Sequence, residues 1–212
     1  MSTAQLTIAE ELVLLAHREH DGKPLISNMI LDIGLIAADL AELAERGKVR
    51  LSGRDLVVAD QGPVGDPELD AVLARMVKVG KALPPRRWLD KVNPMGRRKR
   101  YLQRLSERGA LSAEKRRILG LFPVERYPEA DPTLEREIRD RLGKALRGRQ
   151  PDSRTVALLA VAHRSGLTKQ LFAPSTTKRI EELIDKDWAG KAVKAYVDES
   201  NGSVAVVAAA AT

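Results

Sequence analysis

Arg97, Arg100, Arg104 and Arg108 recur at intervals of three and four residues. At 3.6 residues per turn they share one helix face, and a row of guanidinium groups presents forks of N–H donors to phosphates or carboxylates. Arg98 stands off that row, four residues before Leu102. The spacing predicts that it starts on the core-facing side, near a helix N-terminus whose free N–H groups and dipole favour an anion. An arginine there either closes on a buried carboxylate or reaches into a pocket that holds an anionic ligand. Arg86, Arg87 and Lys91 lie just upstream and widen the positive surface. Trp88 between them reads as a packing anchor rather than a stacking platform.

These residues belong to a strongly uneven charge distribution. Residues 78–117 hold 14 Lys and Arg against 3 Asp and Glu, a local charge of +11 in a chain whose net charge is +7. Residues 1–75 hold 13 acidic and 7 basic side chains. Such polarity fits a face turned to phosphate-rich surfaces, either nucleic acid or anionic lipid, and it fits equally a set of solvated helix faces.

Motifs for catalysis are lacking. The sequence has no G-x-S-x-G elbow, no H-E-x-x-H and no phosphate loop, and Gly62 and Gly65 do not form a dinucleotide fingerprint. Glu10-Glu11 and Glu181-Glu182 are adjacent pairs, which point in different directions on a helix and make no acid–base pair. His17 and His20, at i and i+3, have the spacing of metal ligands but no evident third; a polar helix end is the reading adopted. His163 reads as a hydrogen-bonded structural residue. With no Cys, a disulfide scaffold, a thiolate zinc site and a cysteine nucleophile are excluded. The expectation is a chain without catalytic activity, metal or cofactor.

The elements that position these residues are mostly helices. Only 3% of the chain is aromatic, so its core rests on Leu, Val, Ile and Ala, which favours helix packed on helix. Thr7-Ile8-Ala9-Glu10 has capping-box form and opens a predicted helix over 7–20. Asp21-Gly22-Lys23-Pro24 is a turn, and a longer helix over 27–46 ends at Gly47. Val49 to Val58 reads as a β-hairpin around Ser52-Gly53-Arg54-Asp55. Asp66-Pro67 caps a further helix, Pro84-Pro85 starts a short one through Trp88, and the basic helix runs over 97–108. Ser112 is expected to cap another short helix, and residues 121–127 to form a second hairpin. Helices follow over 131–147 and, almost wholly apolar, over 156–163, with shorter ones beyond. The N-terminal residues lack the basic and apolar run of a signal peptide, and no 18-residue apolar stretch occurs. Residues 204–211 are apolar but too few to span a bilayer, and read as a packed terminal helix. The fold expected is mainly α: a single compact helical domain over residues 1–212, with one or two small β-hairpins.

Six stretches carry a resemblance. LTIAEELVLLAH (6–17), GLIAADLAELAERGKVRL (34–51), PVGDPELDAVL (63–73), RYLQRLSERGAL (100–111), ALLAVAHRSG (157–166) and FAP (172–174) occur in the order found in the Golgi phosphoprotein 3 family, which the sequence resembles. The resemblance implies a mainly helical domain without enzymatic activity. Eukaryotic members bind phosphatidylinositol 4-phosphate and act as adaptors for glycosyltransferase tails. Their pocket Trp falls on Ser27, one pocket Arg on Ile36, and two paired Arg on Met95 and Arg98. Arg98 alone is retained, with Arg97 and Arg100 close by. The family's long hairpin is expected in shortened form around 147–152. The composition suits a bacterial member, cytoplasmic or peripheral on the cytoplasmic membrane face, with affinity for anionic lipid headgroups. Two other readings stand below it: a nucleic-acid binder using residues 78–117, and a scaffold whose acidic N-terminal half binds basic protein tails.

Overall fold

The computed structural model describes residues 5–118 and 122–192, with 116–118 and 122–124 described as backbone. The first helix, α1 (Ile8–Leu15), is capped as the sequence predicts: the Glu10 N–H donates to Thr7 Oγ1 at 3.2 Å and the Thr7 N–H to Glu10 Oε2 at 2.7 Å. Every residue of α1 is buried, so this short helix lies inside the molecule. It ends earlier than its apolar pattern suggests. The Arg18 N–H donates to Lys23 O and the Leu25 N–H to Ala16 O, and these bonds turn the chain back on itself over 16–25.

Helix α2 (Asn28–Glu45), capped by the Ser27 hydroxyl, is the central element. It packs on α1, on α3 (Pro67–Val79), on α4 (Pro85–Lys91), on α5 (Arg97–Glu107) and on α7 (Ser153–Arg164). Between α2 and α3 lies the expected hairpin of β1 (Val49–Ser52) and β2 (Asp55–Val58), with Val49 paired to Val58. Helix α3 begins at an Asp66 cap with Pro67 in the first turn and ends at Gly80 in the left-handed region. On the far side, α6 (Pro132–Leu146) packs on α1 and α7, and α9 (Thr177–Ile184) on α7, after α8 (Thr168–Leu171) and one 3-10 turn. One continuous apolar core runs from Ile8 through Leu40, Leu105 and Val161 to Ala192. Helix α7 contributes Ala157 through Ala162, all buried, as its apolar run implies. Mainly helical architecture with two two-stranded antiparallel sheets is therefore observed.

Three expectations differ. Ser112 caps no helix: its N–H donates to Pro128 O, and the chain enters β3 (Glu114–Ile118), which pairs with β4 (Phe122–Arg126) in register Glu114 to Arg126. Tertiary pairing outweighs a local cap signal here. The second hairpin therefore starts earlier than 121–127. Residues 147–152, where the resemblance placed a shortened hairpin, are a tight link between α6 and α7, with Gly148 at φ 105°. The terminal helix expected over 204–211 lies outside the described residues.

The base of the second hairpin is fixed to the turn after α1. Gly22 sits there at φ 61°, and a Cβ on it would meet the Tyr127 backbone at 2.4 Å. The Glu129 N–H donates to Glu19 O nearby. Gly47 has φ 70° but nothing within 4 Å of a Cβ. Gly47→Ala is expected to cost about 1 kcal/mol from backbone conformation alone. Gly22→Ala adds a backbone collision and should cost about 3 kcal/mol or more. Urea midpoints measure both, and equal losses would show that the hairpin base is free to move away from the turn.

Candidate functional site

The arginine row of α5 does share one face, but its members are paired with carboxylates of neighbouring elements, and Arg97 alone of them is buried. Arg97 is buried, its Nη1 bonded to Asp39 Oδ2 and 3.2 Å from Glu68 Oε2. The Tyr101 hydroxyl donates to the other Asp39 oxygen. Burial pushes the Asp39 carboxyl up to about 7, against the opposing pull of Arg97 and Tyr101. Arg100 holds Glu68 with Nε and Nη2, the latter at 3.0 Å. Arg104 reaches Asp66 at 2.8 Å and lies 3.0 Å from Glu10, its guanidinium 4.8 Å from the Tyr101 ring centroid. Arg108 donates to Glu10 at 2.8 Å. The stripe predicted as a general electrostatic surface is thus engaged by carboxylates of α1, α2 and the start of α3.

The position of Arg98 is corrected in the same way. The stripe that enters the core is Arg97, Tyr101 and Leu105, and the anchoring of buried Tyr101 on Asp39 sets the helix rotation. Arg98 lies one step round, at the rim between α5 and α2. Its Nη1 is 3.6 Å from Asp32 Oδ2, both side chains being 26% exposed, so the pair is neither buried nor free. The Arg98 backbone N–H faces the same carboxylate. Asp32 therefore stands where the first turn of α5, which lacks a side-chain cap, would receive an anion. Arg98 Nη1 and Asp32 Oδ1 are shielded from water and make no hydrogen bond among the described residues. Burial raises the Asp32 carboxyl above its ordinary range, and the charges of Arg98 and Arg97 oppose that.

His17 and Arg126 complete the surroundings. The His17 Nδ1–H donates to Val13 O at 2.8 Å. Burial holds its imidazole below the usual range, and the Arg98 and Arg126 charges push the same way. His20 is exposed beside Asp21, so the two histidines share no ligand geometry. His163 is bonded to Thr168 Oγ1 at 2.8 Å and to Glu181 at 3.1 Å, as a structural residue.

The other predicted positions are dispersed. Ser27 is exposed and its hydroxyl accepts the Ile30 N–H at 3.3 Å, a capping role. Ile36 is fully buried in the core. Met95 is 79% exposed, three residues before Arg98, and Met29 is 62% exposed, one turn before Asp32 on α2. Arg86 is bonded to Asp90 at 2.7 Å, whereas Arg87 and Lys91 are exposed on α4. Trp88 is a buried anchor. Sequence reasoning missed Asp32, Asp39 and Glu68, although an acidic excess in residues 1–75 facing a basic segment was the signal available.

Removing one partner of a buried pair leaves an uncompensated charge, at a cost of about 3–5 kcal/mol. Asp39→Leu is expected to lose about that much in urea unfolding, since Arg97 and the Tyr101 hydroxyl both lose an acceptor. Asp39→Leu with Arg97→Met should lose clearly less than the single change. An additive double variant would show that the two side chains do not depend on each other.

A protein-family model described as Golgi phosphoprotein 3 (GPP34) matches residues 8–200. The match begins at the first residue of α1 and takes in every element through α9, including both hairpins and the Arg98 rim. On that extent the chain belongs to the Golgi phosphoprotein 3 family.

Proposed function

We propose that this chain is a non-catalytic peripheral membrane protein, acting on the cytoplasmic membrane face, whose rim at Arg98 receives the anionic headgroup of a phospholipid. One observation carries the reading: Asp32 occupies an anion position that Arg98 serves from both backbone and side chain, and it fills it loosely. A headgroup phosphate has more charge and more acceptor atoms than one carboxylate, so it competes well for the same donors. Met29 and Met95, each three residues before one member of the Asp32–Arg98 pair, are exposed, as side chains that enter a lipid interface need to be. Family membership supports a lipid- or protein-binding role in general. In the resembled eukaryotic members the phosphatidylinositol 4-phosphate pocket uses the positions of Ser27, Ile36, Met95 and Arg98. Ile36 is buried and Met95 carries no charge, so selection for that one lipid has little to rest on, and anionic headgroups as a class fit better.

The other two readings draw less support. A nucleic-acid face would need the α5 arginines, which are spent on internal carboxylates. A tail-binding acidic face loses Glu10, Glu11, Asp39, Glu42 and Glu68 of that half, which are buried. Nothing in the sequence motifs supplies a nucleophile with its base, which keeps the reading non-catalytic.

Vesicle co-sedimentation tests it. Binding is expected to rise with the anionic lipid fraction at low salt, and no such rise would overturn the reading. Arg98→Ala should weaken binding roughly fivefold, the worth of about one interfacial cation, and more than Arg108→Ala does. Asp32→Asn should strengthen it, because the internal competitor loses its charge. The same logic gives a pH dependence. Asp32 takes up its proton above the ordinary aspartate range, so binding increases as pH falls through that raised value, and Asp32→Asn should flatten the increase.

A further inference from the structure

A second concave surface lies away from α5, where the end of α3 meets α4. It encloses about 450 Å³ and is lined by Arg75, Lys81, Arg87 and Lys91, with Val79 and Leu83 as apolar wall and Asp90 as its one carboxylate. Asp90 is engaged by Arg86 at 2.7 Å. The Arg75 Nε–H donates to Lys91 O at 3.0 Å, which joins α3 to α4 and holds the guanidinium at the seam. Among the described residues, no carboxylate pairs with Arg75, Lys81, Arg87 or Lys91. What sets them apart is that they line one cleft together. The arginines of α5 have partners on other elements, and so do Arg139, Arg141 and Arg154. One cation would serve the negative end of the α3 dipole. Four cations brought together from two helices and the link between them exceed that need, and like charges gathered without counter-charge raise the local potential for an anion.

We propose that this cleft is a phosphate-binding site, taking a phosphate group borne either by an anionic phospholipid headgroup or by a free phosphorylated compound. The site is independent of the Arg98 reading, since none of its lining residues belongs to α2 or α5. A phosphate seated at the seam meets the Arg75 and Arg87 guanidinium forks and the two ammonium groups, while Val79 and Leu83 limit water at its back.

Isothermal titration with inorganic pyrophosphate tests it, with vesicles of phosphatidylcholine containing or lacking phosphatidylglycerol as the second arm. The wild-type chain is expected to bind pyrophosphate saturably. Lys81→Glu with Arg87→Glu, two exposed side chains with no hydrogen bond or ion pair among the described residues, should weaken that binding by about tenfold or more. A urea midpoint equal to wild type establishes that the variant is folded, and Arg87→Gln alone should give an intermediate loss. In Arg98→Ala, which removes the other anion position, one saturable pyrophosphate per chain should remain and be weakened by adding Lys81→Glu with Arg87→Glu, so failure of the headgroup reading and failure of this site are read separately. A parallel fall in vesicle binding by the double variant assigns the site to lipid phosphate, and unchanged vesicle binding assigns it to a free phosphorylated compound. No saturable pyrophosphate binding, or binding undiminished in the double variant, overturns the proposal.

Discussion

Two adjacent carboxylates on a helix with no exposed residue decide much of this architecture. Glu10 and Glu11 are 1% and 3% exposed, and an isolated carboxylate that deep is too costly to keep charged. Neighbours on a helix point about 100° apart, so the two cannot share a partner. Glu10 takes Arg104 and Arg108 from α5, and Glu11 takes Arg141 from α6 at 2.5 Å and lies 3.7 Å from Arg154 of α7. Glu42 on α2 closes the circuit: Arg154 reaches it at 2.5 Å and the Ile8 N–H donates to it at 3.0 Å. Three further helices, α5, α6 and α7, are thus placed around α1 by charges that must be met. Pairs of this kind roughly offset their own desolvation rather than add to stability. What they supply is registry, because a shifted helix would leave a buried charge alone.

That constraint explains which parts of the fold were legible. Caps and stops were, because they are written locally: Thr7 with Glu10, Asp66 with Pro67, and Gly47 all act where the sequence places them. The buried run of α7 was legible because apolarity on all sides leaves it no other place. The rotation of α5 was not. Its arginine spacing is real, but spacing does not say whether a charged face meets water or buried acids. Tyr101, set on Asp39 62 residues away, settles that, and no local pattern encodes such a contact. β3 was missed for a related reason. Its partner strand and its anchor at Pro128 lie further along the chain, so the cap signal at Ser112 was the only one within reach.

The same constraint relocates the charge that a partner can feel. The local excess of +11 over residues 78–117 suggests one basic surface. The carboxylates of residues 10–68 neutralise much of it inside the molecule, and what remains outside is divided. One part is the Arg98 rim, with a single loosely held carboxylate. Another is the seam of α3 and α4. Among the described residues the arginine row of α5 is thus spent on internal partners and these two anion-seeking places lie on different elements, an arrangement poorly suited to tracking a nucleic-acid backbone, where many phosphates must be met in line.

The contrast between Arg97 and Arg98 shows how burial sorts adjacent residues of one type. Arg97 meets Asp39 deep in the interior and shares in holding α5 to α2. Arg98, one residue on, meets Asp32 at 3.6 Å at a partly open rim, too far for a hydrogen bond and too shielded for free hydration. A deep pair that loses a partner costs the fold, so it is unsuited to exchange. A rim pair that exchanges a carboxylate for an external anion loses little, because the incoming oxygens satisfy the donor that Asp32 leaves unmet. On the proposed reading, the residue that receives a ligand is the one whose internal partner is poor, and the deeper pairs hold the rim in place around it.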